Sequence, residues 1–493
     1  MLGACGHGRT PPRGLPGLAI TQPTPGPAPT WSAGERAGLQ GKLSSIFRSP
    51  VTSRATGIVV VDENGSTLFA RRGTVPVAPA STLKLVIAAT ALDALGPQRR
   101  FETRFVATQA PDLDGTLAGD LWLVGGGDPT LASNDLRAGV GAMYRAGVRR
   151  IDGALDVDDT AFSGPEQNPR WDPDDLSYDY AAGTSAISLD DDAVSFDVTP
   201  AAPGQAARVE PNPPNASISF DGSIATVPAG YSSYVTIERK PQLAAVGSAS
   251  RTMVEPHNEY VLDGRIAAGE KQTFLKPVVG MPGYVGGVAA SMLAARGMDL
   301  AGGFRTSAAP LGAYALWTHR SPPLADIVRE MLVNSNNHTA ETLLRIVGET
   351  SGRPGTDAAG IAFEKHVLSQ IGVPHAGMAL YDGSGLAASD RIAPLTLARL
   401  VAHEARTPSG DAFVRGLPRV GIEGTVRIHD VHAALGRVRA KSGHIANVNG
   451  LAGEVQTRRH GRIAFAFIAN DPRADDDDVY REIDRALDAL AVM

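Results

Sequence analysis

The order in which this chain changes its hydrophobic pattern limits its architecture before any single residue is weighed. "GIVVVDENGSTLFA" (57–70) reads as two strands around a turn at Glu63-Asn64-Gly65. The stretch "STLKLVIAATALDALG" (81–96) reads as a helix: Pro76 and Pro79 keep the preceding chain extended, and Gly96 offers a C-terminal stop. From about 105 to 275 the chain shows short β-like runs broken by Pro, Gly and Asp, among them "DGALDVDDTAF", "AVSFDVTP" and "SSYVTIER". Helical periodicity returns at 283–298 and is strong at 323–349. Then come three strand-like runs, "GRVRAKSG" (436–443), "NVNGLAGEVQT" and "RIAFAFIAN", the last two joined by a turn at Arg459-His460-Gly461. A closing helix, "DDVYREIDRALDAL", carries acidic residues in its first turn, where the helix dipole favours them. Strands, a helix, a long excursion, helices, strands and a helix form the pattern of one domain interrupted by another.

Length and charge narrow the function. At 493 residues the chain has room for two or three domains, and an apolar fraction of 43% is enough for large cores. A net charge of −6 with no long basic tract argues against a nucleic-acid partner. No apolar run approaches membrane-spanning length. Cys5 is the only cysteine, which excludes an internal disulfide and a cysteine metal cluster, and the eleven histidines form no ligand-spaced group. No metal or cofactor is implied. Cys5 sits in "LGAC", which resembles a bacterial lipobox, whose cysteine is lipidated after a signal peptide; four residues precede it here. A lipid anchor at Cys5 and an accidental match are both open readings. The Pro- and Gly-rich segment that follows, "GHGRTPPRGLPGLAITQPTPGPAPTW", is expected to be a disordered tether.

Ser81 and Lys84 stand three apart at the start of the first helix, so their side chains share a face. A helix N-cap and a solvated cation are the plain reading of so short a pattern. The composition tells against it. Only seven of the 46 cationic residues are lysine (Lys42, Lys84, Lys240, Lys271, Lys276, Lys365 and Lys441), and one of them lies on this apolar helix. Arginine cannot give up its proton, whereas a desolvated lysine can act as a base.

Two further short motifs complete a set. "NSNNHTAETL" places Ser335-Asn336-Asn337 where one helix ends and another can begin, and "RAKSGHIAN" places Lys441-Ser442-Gly443 at the end of a strand. Each alone is weak. In order they match S-x-x-K, S-x-N and K-[TS]-G, the set shared by penicillin-binding proteins and serine β-lactamases. The long separation of Ser81 and Ser335, with "PASTLKL", "LVGGGDPTL", "YDGSGLAASDRIAP", "GIEGTVR" and "VNGLAGEV", resembles the D-alanyl-D-alanine carboxypeptidase/endopeptidase family, the class C low-molecular-mass penicillin-binding proteins. The resemblance runs from about residue 45 to the end.

That resemblance implies an α/β (α+β) penicillin-recognising, transpeptidase-like domain, an antiparallel sheet flanked by helices, interrupted by a mostly β insertion. The expected division is a tether at 1–40, the first part of the domain at 41–104, the insertion at 105–275 and the second part at 276–493. It also implies an exported serine D,D-peptidase acting on peptidoglycan stem peptides through an acyl-enzyme on Ser81 and acylated by β-lactams. Lys84 is the implied base, and Ser335 the relay to the leaving amine. Asn337 would hold Lys84 and a substrate amide, Lys441 and Ser442 the terminal carboxylate. The N–H groups of Ser81 and of His444, next to Gly443, would form the oxyanion hole.

His444 stands where the family usually has Thr or Ser, Asn336 where many relatives have Asp, and Asp192 where relatives commonly show Asn. "DGSGL" (382–386) does not meet G-x-S-x-G and reads as a Gly-rich loop shaping the site; "HEART" at 403 lacks the second histidine of a zinc helix. Asp158 and Asp159 could meet the cationic end of a stem peptide, with a solvated acidic turn as the plainer reading. Two alternatives stay open: a serine β-lactamase or esterase of the same superfamily, and a non-catalytic cell-wall-binding protein.

Overall fold

A computed structural model describes residues 31–48, 56–215, 217–240, 258–349, 353–470 and 475–493. Cys5 and most of the expected tether lie outside these residues. The end of that segment is not a tether: α1 (Ala33–Ile46) already begins at residue 33. Its start is a capping box, in which the Ser32 hydroxyl accepts the Glu35 N–H and the Glu35 carboxylate accepts the Ser32 N–H at 2.9 Å. Leu39 and Leu43 bury its inner face.

The central sheet is antiparallel and joins the two ends of the chain. It contains β1 (Thr56–Asp62), β2 (Thr67–Arg71), β3 (Val438–Ile445), β4 (Val448–Gln456) and β5 (Arg462–Ala469), in the order β3-β4-β5-β1-β2. On one face lie α2 (Lys84–Leu95), α3 (Leu324–Asn334), α4 (Asn337–Gly348), α5 (Asp357–Gln370) and α6 (Pro394–Glu404). On the other lie α1 and α7 (Asp476–Ala491). Val59 and Val61 pack toward the first group, Ile58 and Val60 toward the second. Burial on both faces explains why β1 reads as a continuous apolar run instead of alternating.

The excursion has its own core. Strand Glu102–Ala107 pairs antiparallel with Leu121–Val124 on one side and with Tyr314–Arg320 on the other, and Leu155–Asp158 and Phe304–Thr306 extend the sheet in parallel. Helices Ser133–Arg145 and Met281–Ala295 supply residues to the apolar cluster beneath it. These pairings join strands from Glu102 to Arg320 in one sheet. The boundary expected at 275 falls inside strand Gln272–Pro277, which pairs with Ala193–Thr199. The strand at 314–320 finds its partner more than two hundred residues upstream, and no local pattern announces such a pairing.

Candidate active site

Ser81 lies in a single 3₁₀ turn, Ala80–Leu83, immediately before α2. Several contacts pin the turn. Asn470 brackets Ala78, accepting its N–H at 2.8 Å and donating to its carbonyl at 3.0 Å. Val77 bridges to Ile392 through two backbone bonds of 3.0 Å, and the Thr82 hydroxyl donates to the Pro79 carbonyl at 2.7 Å. Ala80 is held at φ 47°, a region an L-residue adopts only when its surroundings impose it. The loop 382–387 presses on the turn from one side. A side chain on Gly385 (φ 80°) would lie 2.0 Å from the Ala80 carbonyl oxygen, so only glycine fits there.

Lys84 opens α2 with its side chain fully buried. Its Nζ lies 2.9 Å from Ser81 Oγ, 2.6 Å from Asn337 Oδ1 and 2.9 Å from the Ser384 carbonyl. Burial lowers its pKa to about 7, against the upward pull of Asp382 and Glu341. Lys441, on the edge strand β3, is also fully buried and donates to the Ser442 carbonyl at 2.8 Å. Burial, and then the charge of Lys84, holds it well below the usual lysine range. Desolvation is the main cause for both lysines.

Ser335 and Asn337 sit at the break between α3 and α4. Ser335 ends α3 in the left-handed region, φ 61°, and Asn336 caps α4 by accepting the Thr339 N–H at 2.9 Å. Asn337 turns its oxygen to Lys84 and donates its amide to the Tyr180 carbonyl of the inserted region at 2.8 Å. The hydrogen bonds of Lys84 and Lys441 go to Ser81, Asn337, Ser384 and Ser442, not to Ser335.

The edge strand closes the other side. A side chain on Gly443 would lie 2.8 Å from Pro79 O, 3.0 Å from Thr82 N and 3.1 Å from Ser81 N, so β3 rides directly on the serine turn. Side chains alternate along a strand. With Gly443 toward the turn, Ser442 and His444 face the opposite way. The Ser442 hydroxyl lies 2.7 Å from that of Thr425. The His444 Nδ1 lies 2.9 Å from Asn449 Oδ1, directly across the strand pair. Asn449 can only donate through its Nδ2, which goes to Asp476 at 2.6 Å, so the His444 Nδ1 carries a proton.

Sequence reading did not name several groups that complete this cluster. Glu341, 2% exposed, accepts the N–H groups of Gly383 and Ser384. Asp382 accepts those of Gly385 and Ala387 and the indole N–H of Trp171. Burial raises Glu341 to about 8, and burial with the neighbouring Asp382 raises Asp390 to about 11. The one signal in the sequence is Glu341 itself, an acidic residue four places after Asn337 and so on the same helix face. Asp158 is neither a solvated turn nor a ligand group. Its carboxylate holds Thr160 and the Ala309 N–H, and it is buried. Asp192 is buried against His338, and desolvation raises it to about 7.

The sequence profile of the D-Ala-D-Ala carboxypeptidase 3 (S13) family matches residues 39–492. A D-alanyl-D-alanine carboxypeptidase from Actinomadura sp. (strain R39) is 31% identical over 476 residues, covering 92% of this chain and 85% of that protein. The crystal structure of penicillin binding protein 4 (dacB) from Haemophilus influenzae superimposes with a TM-score of 0.74 at 22% identity, over 91% of this chain and 99% of the other. The same Haemophilus protein complexed with a β-lactam gives 0.72 at 21% identity, over 92% and 100%. At these identities the two structures bear on the fold.

Proposed function

Because the chain belongs to the D-Ala-D-Ala carboxypeptidase 3 (S13) family, we propose that its peptidase chemistry runs through Ser81 as nucleophile and Lys84 as its base. The protein is a serine-type D-alanyl-D-alanine carboxypeptidase. The observation that carries the assignment of roles is the 2.9 Å contact between Ser81 Oγ and a fully buried Lys84 amine. With a pKa of about 7, roughly half of that amine is neutral at pH 7, against about 1 in 3,000 for a lysine at 10.5. Serine is a weak nucleophile until such a base takes its proton.

In the acylation step the Ser81 O–H gives its proton to Lys84 while Oγ bonds to the carbonyl carbon of the penultimate D-alanine. The N–H groups of Ser81 and His444 receive the oxyanion, on the two sides of the close approach made by Gly443. The proton then returns to the leaving amine with Ser335 as relay, and terminal D-alanine departs. Ser442 and Lys441 hold its carboxylate, with His444 on the same strand face as Ser442. Asn337 fixes Lys84 and borders the substrate on the side of Tyr180. Water resolves the acyl-enzyme. A β-lactam enters by the same first step; the complex of the Haemophilus protein with a β-lactam supports binding of that class of compound.

Peptidoglycan stem peptides as the substrate class support a location outside the cytoplasm. No helix among the described residues is long and apolar enough to cross a membrane. Attachment through a lipid on Cys5 rests on its "LGAC" context. Strand pairing favours a two-part catalytic domain interrupted at 102–320. The test of function is release of D-alanine from a peptide ending in D-Ala-D-Ala: the wild type releases it, and Ser81→Ala, which alters no core packing, does not. Release by the Ala variant would remove Ser81 from the reaction.

A further inference from the structure

A neutral lysine has two N–H groups and one lone pair, and only the lone pair can take the serine proton. Three oxygens surround Lys84 Nζ within 3 Å, those of Ser81, Asn337 and Ser384. A side-chain amide oxygen and a peptide carbonyl can only accept. Asn337 Oδ1 and the Ser384 carbonyl therefore take both hydrogens, and the lone pair is left facing Ser81 Oγ. After proton transfer the ammonium has three N–H groups and the same three acceptors. The cage suits both states of the base, provided that the Ser384 carbonyl stays in place.

What keeps it in place is the Glu341 carboxyl group behind the peptide. Glu341 Oε1 accepts the Ser384 N–H at 2.8 Å and the Gly383 N–H at 3.1 Å, and Oε2 accepts the Gly383 N–H at 3.2 Å. Asp382 folds the far side of the loop by accepting Gly385 and Ala387, each at 2.7 Å. Glu341 lies one helical turn beyond Asn337 on α4, so one helix face supplies both supports, Asn337 directly and Glu341 through the Ser384 peptide. A buried carboxylate is costly to desolvate, and Glu341 forms no salt bridge among the described residues, so its pKa rises to about 8. Glu341 and Asp382 act on the amine and the amine acts on Lys441 of β3, while Asp357 and Glu364 from α5 and Asp382 and Asp390 from the loop surround Glu341.

We propose that Glu341 is a positioning residue of the acylation step, clamping the Gly383–Ser384 peptides so that the Ser384 carbonyl takes one hydrogen of Lys84 and leaves the amine's lone pair on Ser81. This role rests on the reading of Ser81 as nucleophile and Lys84 as base. It deepens that reading by naming the group that orients the base.

The experiment is stopped-flow acylation by a fluorescent penicillin, resolving the affinity of the non-covalent complex from the acylation rate constant, for wild type, Glu341→Gln and Glu341→Met. Thermal melts report folding, and peptide mapping reports the labelled residue. Gln keeps one acceptor for Ser384 and lowers the rate constant several-fold. Met keeps the bulk but no acceptor and lowers it about 10- to 100-fold, the range expected when a reacting group is misplaced by a fraction of an ångström to about 1 Å. Affinity of the non-covalent complex stays at the wild-type value in both, because Ser442 and His444 lie across the cleft. If the Met variant does not fold, the Gln variant decides alone. A wild-type rate constant in either folded variant, or affinity and rate falling together, overturns the role of Glu341. A wild type that takes no penicillin on Ser81 overturns the underlying reading as well, so the two failures are distinguishable.

Discussion

Replacing Gly443 by alanine perturbs the contact on which the proposed oxyanion hole depends. Its backbone is ordinary extended strand, so the methyl group adds no conformational strain and acts by volume alone. That methyl would sit 2.8 Å from Pro79 O, about 0.6 Å inside ordinary contact, with Thr82 N and Ser81 N at 3.0 and 3.1 Å. All three are backbone atoms of the serine turn and cannot swing aside as a side chain does. The strand and the turn must part by about half an ångström, the tolerance within which a catalytic constellation works. Since a 1 Å misplacement costs about 10²-fold, acylation should fall about 10- to 100-fold, with about 1–3 kcal/mol of stability lost to overpacking. Gly450, opposite Gly443 in register, is the control: its methyl would meet the Thr82 side chain at 3.2 Å, which can adjust, so Gly450→Ala should acylate faster than Gly443→Ala. Stopped-flow acylation and thermal melts measure both effects. Acylation of Gly443→Ala within twofold of wild type would refute the claim that this approach sets the oxyanion geometry.

The remaining predictions concern the base and the departure at position 444. Lys84 works as the free amine, so acylation should be flat above its pKa of about 7 and fall tenfold per unit below it; a rate–pH profile with no acid limb between 6 and 8 contradicts this. Lys84→Arg keeps a cation that cannot become neutral, and acylation should drop by at least about 10²–10⁴-fold, unrecovered at pH 9. His444→Thr keeps the backbone N–H and removes the ring held by Asn449, so kcat for a D-Ala-D-Ala peptide should persist while KM rises; an unchanged KM would show that the ring takes no part in holding the substrate carboxylate.

Much of this arrangement is written locally. The helix-forming run at 84–95 between Pro79 and Gly96, the capping signals around Ser335 and Asn336, and the apolar strand runs at 448–469 each follow from near neighbours, and the three motifs fall at their junctions. The rest is set by distant partners. The pairing of 314–320 with 102–107 could not be read locally, because the two strands lie far apart along the chain. α1 begins inside the expected tether because its packing on α7, from the opposite end of the sequence, decides the matter. The support of Lys84 by the Ser384 carbonyl was equally hidden. A backbone acceptor has no residue signature, and "DGSGL" discloses a tight loop but not what it faces. Asp158 shows the converse, an acidic residue whose partners are a hydroxyl and two backbone N–H groups of its own fold.

The account stands or falls on where the acyl group goes. Wild-type protein incubated briefly with benzylpenicillin, digested and mapped by mass spectrometry should carry a single penicilloyl adduct, on the peptide containing Ser81, and Ser81→Ala should carry none. An adduct on another residue, an adduct retained by the Ala variant, or an unmodified wild type that still releases D-alanine would contradict it.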